Sequence, residues 1–91
     1  GRVSVEGFVS NAGARSIVSA PTVRDLVGDL GDLRLGTYTP FAVISRRDPA
    51  SSLQSYVPVS LIEALGPGAG VRLQGDDRLF VFGRDDISFL N

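Results

Sequence analysis

The order Val3-Ser4-Val5-Glu6-Gly7-Phe8-Val9, Asn11-Ala12-Gly13, Ile17-Val18, Pro21-Thr22-Val23-Arg24-Asp25-Leu26-Val27 decides the fold of this chain. Val3, Val5, Phe8 and Val9 precede a Gly-containing turn, and Ile17-Val18 follows it as a second strand. Thr22 is placed to cap a helix, and Asp25 three residues on supplies an acid where the helix dipole favours one. Val23, Leu26, Val27 and Leu30 fall at helical spacing and are expected to face a sheet, with Gly31 ending the helix.

Working outward, residues 32–40 read as a connector and Phe41-Ala42-Val43-Ile44-Ser45 as a central strand, apolar on both faces. The polar run 46–52 reads as a turn. Leu53 to Val59 alternates roughly as a strand, and Pro58, which lacks an amide donor, places it at an edge or ends it there. Ser60 and Glu63 have capping-box spacing and open a short helix over 61–65, ended by Gly66-Pro67-Gly68. Arg78 to Phe82 is the last strand, entered through Gln74-Gly75-Asp76-Asp77, and Gly83-Arg84-Asp85-Asp86-Ile87 follows as an acidic extended coda. The expectation is an α+β fold over residues 1–91: a β-grasp, or ubiquitin-like, mixed sheet of about five strands with one main and one short helix.

Composition limits the chemistry. At 91 residues the chain affords one modest core, so a deep cleft is not expected unless a partner supplies a wall. All nine basic residues are arginines, set against eight aspartates and two glutamates for a net charge of −1. The arginines are scattered beside acids, which argues against nucleic-acid binding. Without Cys, disulfides and thiolate metal sites are excluded. Without His, Cys or Lys, the Ser-His-Asp, Cys-His and Ser-Lys nucleophile systems and the Schiff-base lysine cannot be built. Asp76-Asp77 and Asp85-Asp86 are adjacent pairs that extended backbone sends to opposite sides, so neither suits paired-carboxylate chemistry. Calcium-type acidic spacing is also missing. The reading calls for no enzyme activity, metal or cofactor.

Three blocks resemble the soluble-ligand-binding β-grasp (SLBB) domain of polysaccharide export proteins. Val3 to Gly13 is similar to that family's V-x-V-x-G-x-V-x-x-P-G hairpin, with Ala12 in place of the proline; Pro21 to Gly31 is similar to its helix; Leu73 to Ile87 is similar to its close. Tyr38 followed by Ala42-Val43-Ile44-Ser45-Arg46-Arg47-Asp48 is similar to its Y-x-x-x-A-x-I-x-R-x-D strand. The resemblance implies a non-enzymatic periplasmic module, held at the outer membrane through a longer protein. Its copies would pack into a ring around the exported polysaccharide, with other export-machinery subunits as partners.

On that reading Tyr38 and Tyr56 are the candidates for glycan contact, while Phe8, Phe41, Phe80 and Phe82, the four of the five phenylalanines that sit in strand patterns, are expected in the core. Arg46 and Arg47 are the candidates for subunit contact, pairing with Asp85 or Asp86 of the next copy. A second reading is a module for a sugar or cobalamin-like ligand, rimmed by Thr22 and the loop Gly75 to Asp77. A third, a ubiquitin-like sulfur carrier, calls for a terminal Gly-Gly where this chain has Phe89-Leu90-Asn91.

Overall fold

The computed structural model describes residues 1–68 and 70–90; Asn91, and Ala69 within the Gly66 to Gly70 stretch, lie outside the described residues. Five strands form one mixed sheet: β1 (Arg2–Gly7), β2 (Gly13–Ser16), β3 (Thr37–Arg47), β4 (Gln54–Val59) and β5 (Arg78–Gly83). Their order is β2-β1-β5-β3-β4. β1 and β5 run parallel, and the other neighbours are antiparallel. Three short helices accompany them: α1 (Val23–Val27), α2 (Leu61–Ala64) and α3 (Arg84–Leu90). The class is therefore α+β, as the patterning implies, with one helix more than expected.

The core is aliphatic. Val3 and Val5 of β1, Leu79 and Val81 of β5, and Ala42 and Ile44 of β3 point to one face, where α1 adds Val23 and Leu26 and α2 adds Leu61 and Ala64. Each fully buried branched side chain contributes about 1.5–3 kcal/mol of transfer free energy, so this face supplies most of the drive to fold. None of the four strand-pattern phenylalanines is in the buried cluster, contrary to expectation. The inner face is already filled by Val, Leu, Ile and Ala, and the strand period of two sends Phe41, Phe80 and Phe82 to the other side.

Both caps read from sequence are present. The Thr22 hydroxyl accepts from the Asp25 amide, and the Asp25 carboxylate accepts from the Thr22 amide at 3.1 Å. The Ser60 hydroxyl accepts from the Glu63 amide, which is one half of the capping box read there; the return bond from the Glu63 side chain to the Ser60 amide is not made. For a helix as short as α1 such a cap is a large share of the local stability, so Thr22→Ala is expected to cost about 1 kcal/mol. Urea denaturation followed by far-UV circular dichroism reads this as a lower midpoint at unchanged slope; no shift of the midpoint would count against the cap.

Several boundaries move, each for a local reason. The second strand is Gly13–Ser16 and not Ile17-Val18. Residues 17–19 form a turn closed by Ser19 and Ala20 amides on the Ser16 carbonyl, and Val18 is 87% exposed. α1 ends at Gly28, with φ of 84°, and not at Gly31. Asp32 accepts from the Asp29 amide in a separate 3₁₀ turn and lies where a Gly28 Cβ would stand, and Leu30 is exposed instead of facing the sheet.

β3 begins at Thr37, inside the expected connector, because a bulge between Thr37 and Ala42 accommodates Pro40. It also runs to Arg47, which shortens the following turn to Asp48–Ser52. There the Asp48 carboxylate accepts from the Ala50 amide at 2.9 Å, and this bond, with help from Ser51, holds its pKa below the usual value. β4 is an edge strand, as Pro58 requires. The acidic coda is helical: the Asp86 carboxylate accepts from the Gly83 amide at 2.9 Å, and Asp85 and Asp86 occupy the first turn of α3. Gly83 with Asp85 and Asp86 two and three residues on was a start signal for that helix.

Candidate functional site

Because β1, β5 and β3 send their aliphatic residues to the core, their remaining residues form the opposite, solvent-facing side of the sheet. Register aligns them in rows. Ala14, Ser4, Arg78, Ser45 and Tyr56 form one row from edge to edge, and Glu6, Phe80, Val43 and Pro58 form the next. Phe41 and Phe82 continue the apolar part, their rings stacked with centroids 6.0 Å apart. Phe41 is 39% and Tyr56 66% exposed, while Val43, Phe80 and Phe82 are half-buried. The outer face thus carries an aromatic and apolar strip, reachable from solvent, beside a polar end.

At the polar end lies a hollow of about 420 Å³ lined by Arg2, Ser4, Ser45, Arg47, Gln54, Asp76, Asp77 and Arg78 among others. It exists because β5 begins only at Arg78, whereas its neighbours β1 and β3 extend further at that level, to Arg2 and Arg47. The loop at Asp76 and Asp77 fills the floor, tied to β1 by the Asp76 amide on the Arg2 carbonyl at 2.7 Å and the Ser4 amide on the Asp77 carbonyl at 3.0 Å. The Gln54 side-chain amide donates to the Ser45 hydroxyl across the floor.

A second hollow, about 390 Å³, lies between the β1–β2 turn and the end of α1, lined by Phe8 to Asn11, Leu26 to Gly28 and Asp32 to Arg34. The Arg34 guanidinium sits 4.1 Å over the Phe8 ring. Thr22, expected as part of a ligand rim with residues 75–77, lines neither hollow. Its hydroxyl and amide are both engaged with Asp25.

The candidate residues separate. Tyr38 is half-buried in the bulged part of β3, and Tyr56 lies opposite Ser45, roughly 20 Å along the strand at ~3.3 Å per residue, so the two do not form one platform. Arg46 points to the core side and is committed within its own chain. Its Nε donates to Asp77 Oδ1 at 3.1 Å and its Nη2 to Asp77 Oδ2 at 2.9 Å. The same carboxylate accepts from the Gln74 amide at 2.8 Å and is fully buried. Arg47 is exposed on the outer face.

Asp85 and Asp86 are exposed just past the other end of β5, so one chain does not bring them to Arg47. The paired acids do not gather either, since Asp77 is buried while Asp76, at φ of 68°, is exposed. Among the described residues no three acidic side chains converge as a metal cage would need, and no helix is long and apolar enough to cross a membrane.

Sequence reasoning missed Arg2, Arg78, Ser45 and Gln54 as partners in one hollow. No local signal could have found them, because they come from four different strands. Comparison of the chain with protein-family models, with curated proteins and with solved structures returns no match.

Proposed function

We propose that this chain is a non-catalytic β-grasp module of the SLBB type, from a polysaccharide export protein, that joins like subunits and touches the passing glycan with its outer sheet face. The observation that carries the reading is the strand order β2-β1-β5-β3-β4 with β1 parallel to β5, together with a helix directly after the first hairpin. That is the order of a ubiquitin-like sheet, and it supports the resemblance read from the hairpin, the Tyr38 to Asp48 strand and the close. The reading places the chain in the periplasm, tied to the outer membrane through its parent protein.

The subunit-contact half of the reading rests on Arg47 meeting Asp85 or Asp86 of the next copy. Their positions at opposite ends of the sheet favour a head-to-tail contact, which closes into a ring by rotation. Arg46 takes no part, since Asp77 holds it. Native mass measurement of the full-length protein tests this: Arg47→Glu is expected to shift the assembly to smaller species, and adding Asp85→Arg with Asp86→Arg to restore it. An assembly indifferent to both would remove this contact.

A second reading, a module for a sugar fragment or cobalamin-like ligand, is favoured by the hollow beside Phe8 and Arg34, whose size suits a small molecule. Cobalamin shifting the amides of residues 8–11 and 26–34 in a saturable way would select it.

A further inference from the structure

We propose that the hollow between Arg2, Arg47 and Arg78 is a binding site for the carboxylate of an acidic sugar, a uronate residue within an oligosaccharide. The inference rests on the glycan-contact half of the function proposed above and competes with its subunit-contact half for Arg47, since a guanidinium paired with Asp85 or Asp86 of the next copy is not open to the sugar.

The argument is one of charge and hydrogen-bonding capacity. Arg2 and Arg47 stand on β1 and β3, two strand spacings or about 9–10 Å apart across the start of β5. Neither has an ion-pair partner among the described residues, whereas Arg46 is neutralised by Asp77. Arg78, on the third side, is oriented by Glu6 at 2.7 Å and lies 5.4 Å over the Phe80 ring. A guanidinium has five donors, so the Glu6 contact leaves others for a ligand. With Asp77 offset by Arg46, and Arg78 by Glu6 outside the hollow, Arg2 and Arg47 set against Asp76 leave one positive charge in excess, in a chain whose net charge is −1. One excess charge matches a monoanion.

The remaining groups select the class of monoanion. Asp76 on the floor is an acceptor that repels a phosphate dianion but takes hydrogen bonds from sugar hydroxyls. Gln54 donates one amide hydrogen to Ser45 and keeps its carbonyl oxygen as an acceptor, and Ser4 offers a hydroxyl. Arginine forks suit the planar carboxylate itself. Tyr56 adjoins Ser45 in the same cross-strand row, so a sugar neighbouring the bound uronate meets an exposed aromatic face. A carboxylate clamp, acceptors for hydroxyls and an adjoining ring together describe an acidic glycan better than an inorganic anion.

The test is amide-shift titration of this chain with a short oligogalacturonate, with the neutral oligosaccharide made by reducing its carboxyl groups, and with inorganic phosphate. The uronate is expected to give saturable shifts at Arg2, Ser4, Ser45, Arg47 and Arg78 that weaken as salt rises. Arg2→Ala with Arg47→Ala, both exposed and with no side-chain partner among the described residues, is expected to weaken binding about tenfold or more while leaving the rest of the spectrum in place.

Equal binding of acidic and neutral oligosaccharides, with shifts confined to Tyr56 and Phe41, would overturn the carboxylate site and leave the glycan-contact reading standing. Phosphate binding as tightly as the uronate would overturn the sugar assignment. No saturable shift with either oligosaccharide at millimolar concentration would overturn both, while the assembly measurement on the full-length protein decides the subunit-contact reading separately.

Discussion

Arg46→Ala is expected to destabilise the domain by about 3 kcal/mol or more, a large part of the ~5–10 kcal/mol typical of a chain this size. The Asp77 side chain is fully buried, and its carboxylate is held by two nitrogens of Arg46 and by the Gln74 amide. Truncating the arginine leaves a buried charge with a single amide donor. The arginine side chain itself is 23% exposed, so water entering the gap keeps the cost near the lower end of the 3–5 kcal/mol range for breaking a buried pair. Arg47→Ala, one residue on, is the control and is expected to stay within about 0.5 kcal/mol, because Arg47 is exposed and has no partner among the described residues. Urea denaturation of both variants decides the matter; an Arg46→Ala loss no larger than that of Arg47→Ala would mean that the pair does not anchor the entry to β5. It also follows that any assembly measurement made with both arginines removed would confuse unfolding with loss of contact.

Gly7→Ala is expected to cost upwards of about 3 kcal/mol, or to abolish folding. Gly7 has φ of 94°, and a Cβ there would stand 2.2 Å from the Val81 carbonyl oxygen. That oxygen is backbone and cannot turn aside as a side chain would. It accepts from the Phe8 amide at 2.9 Å, and Gly7 and Val81 are register partners in the parallel β1–β5 ladder. Relieving the contact means prying β1 away from the central strand β5. Gly31→Ala is the comparison, with nothing within 4 Å of its Cβ and no positive φ, and it is expected to be neutral or to gain a few tenths of a kcal/mol from the stiffer unfolded chain. Thermal or urea midpoints that fall alike for both variants would show that the close approach at Gly7 is unimportant.

Much of the fold was legible where the physics is local. A cap reaches three residues, so Thr22 with Asp25 and Ser60 with Glu63 could be read directly from their spacing. Pro58 announced an edge strand because one missing amide is a property of one residue. Local signals also misled where two competed. Gly28 and Gly31 both offered an end to α1, and Asp32 decided between them by occupying the space beside Gly28. The phenylalanines looked like core because they are large and apolar, yet a period of two assigns a face only relative to neighbouring strands. Ala42, Ile44, Leu79 and Val81 took the inner one.

The candidate site divides along the same line. By itself the sequence determined the class of the fold, four of the five strands, two of the three helices and the absence of His, Cys and Lys chemistry, since composition and hydrogen bonds spanning a few residues carry that information. Only the tertiary structure decided which arginine is structural and which is free, and that Arg2, Arg47 and Arg78 meet across one hollow. Those outcomes depend on the register of β1, β5 and β3, a long-range pairing set by how the whole inner face packs.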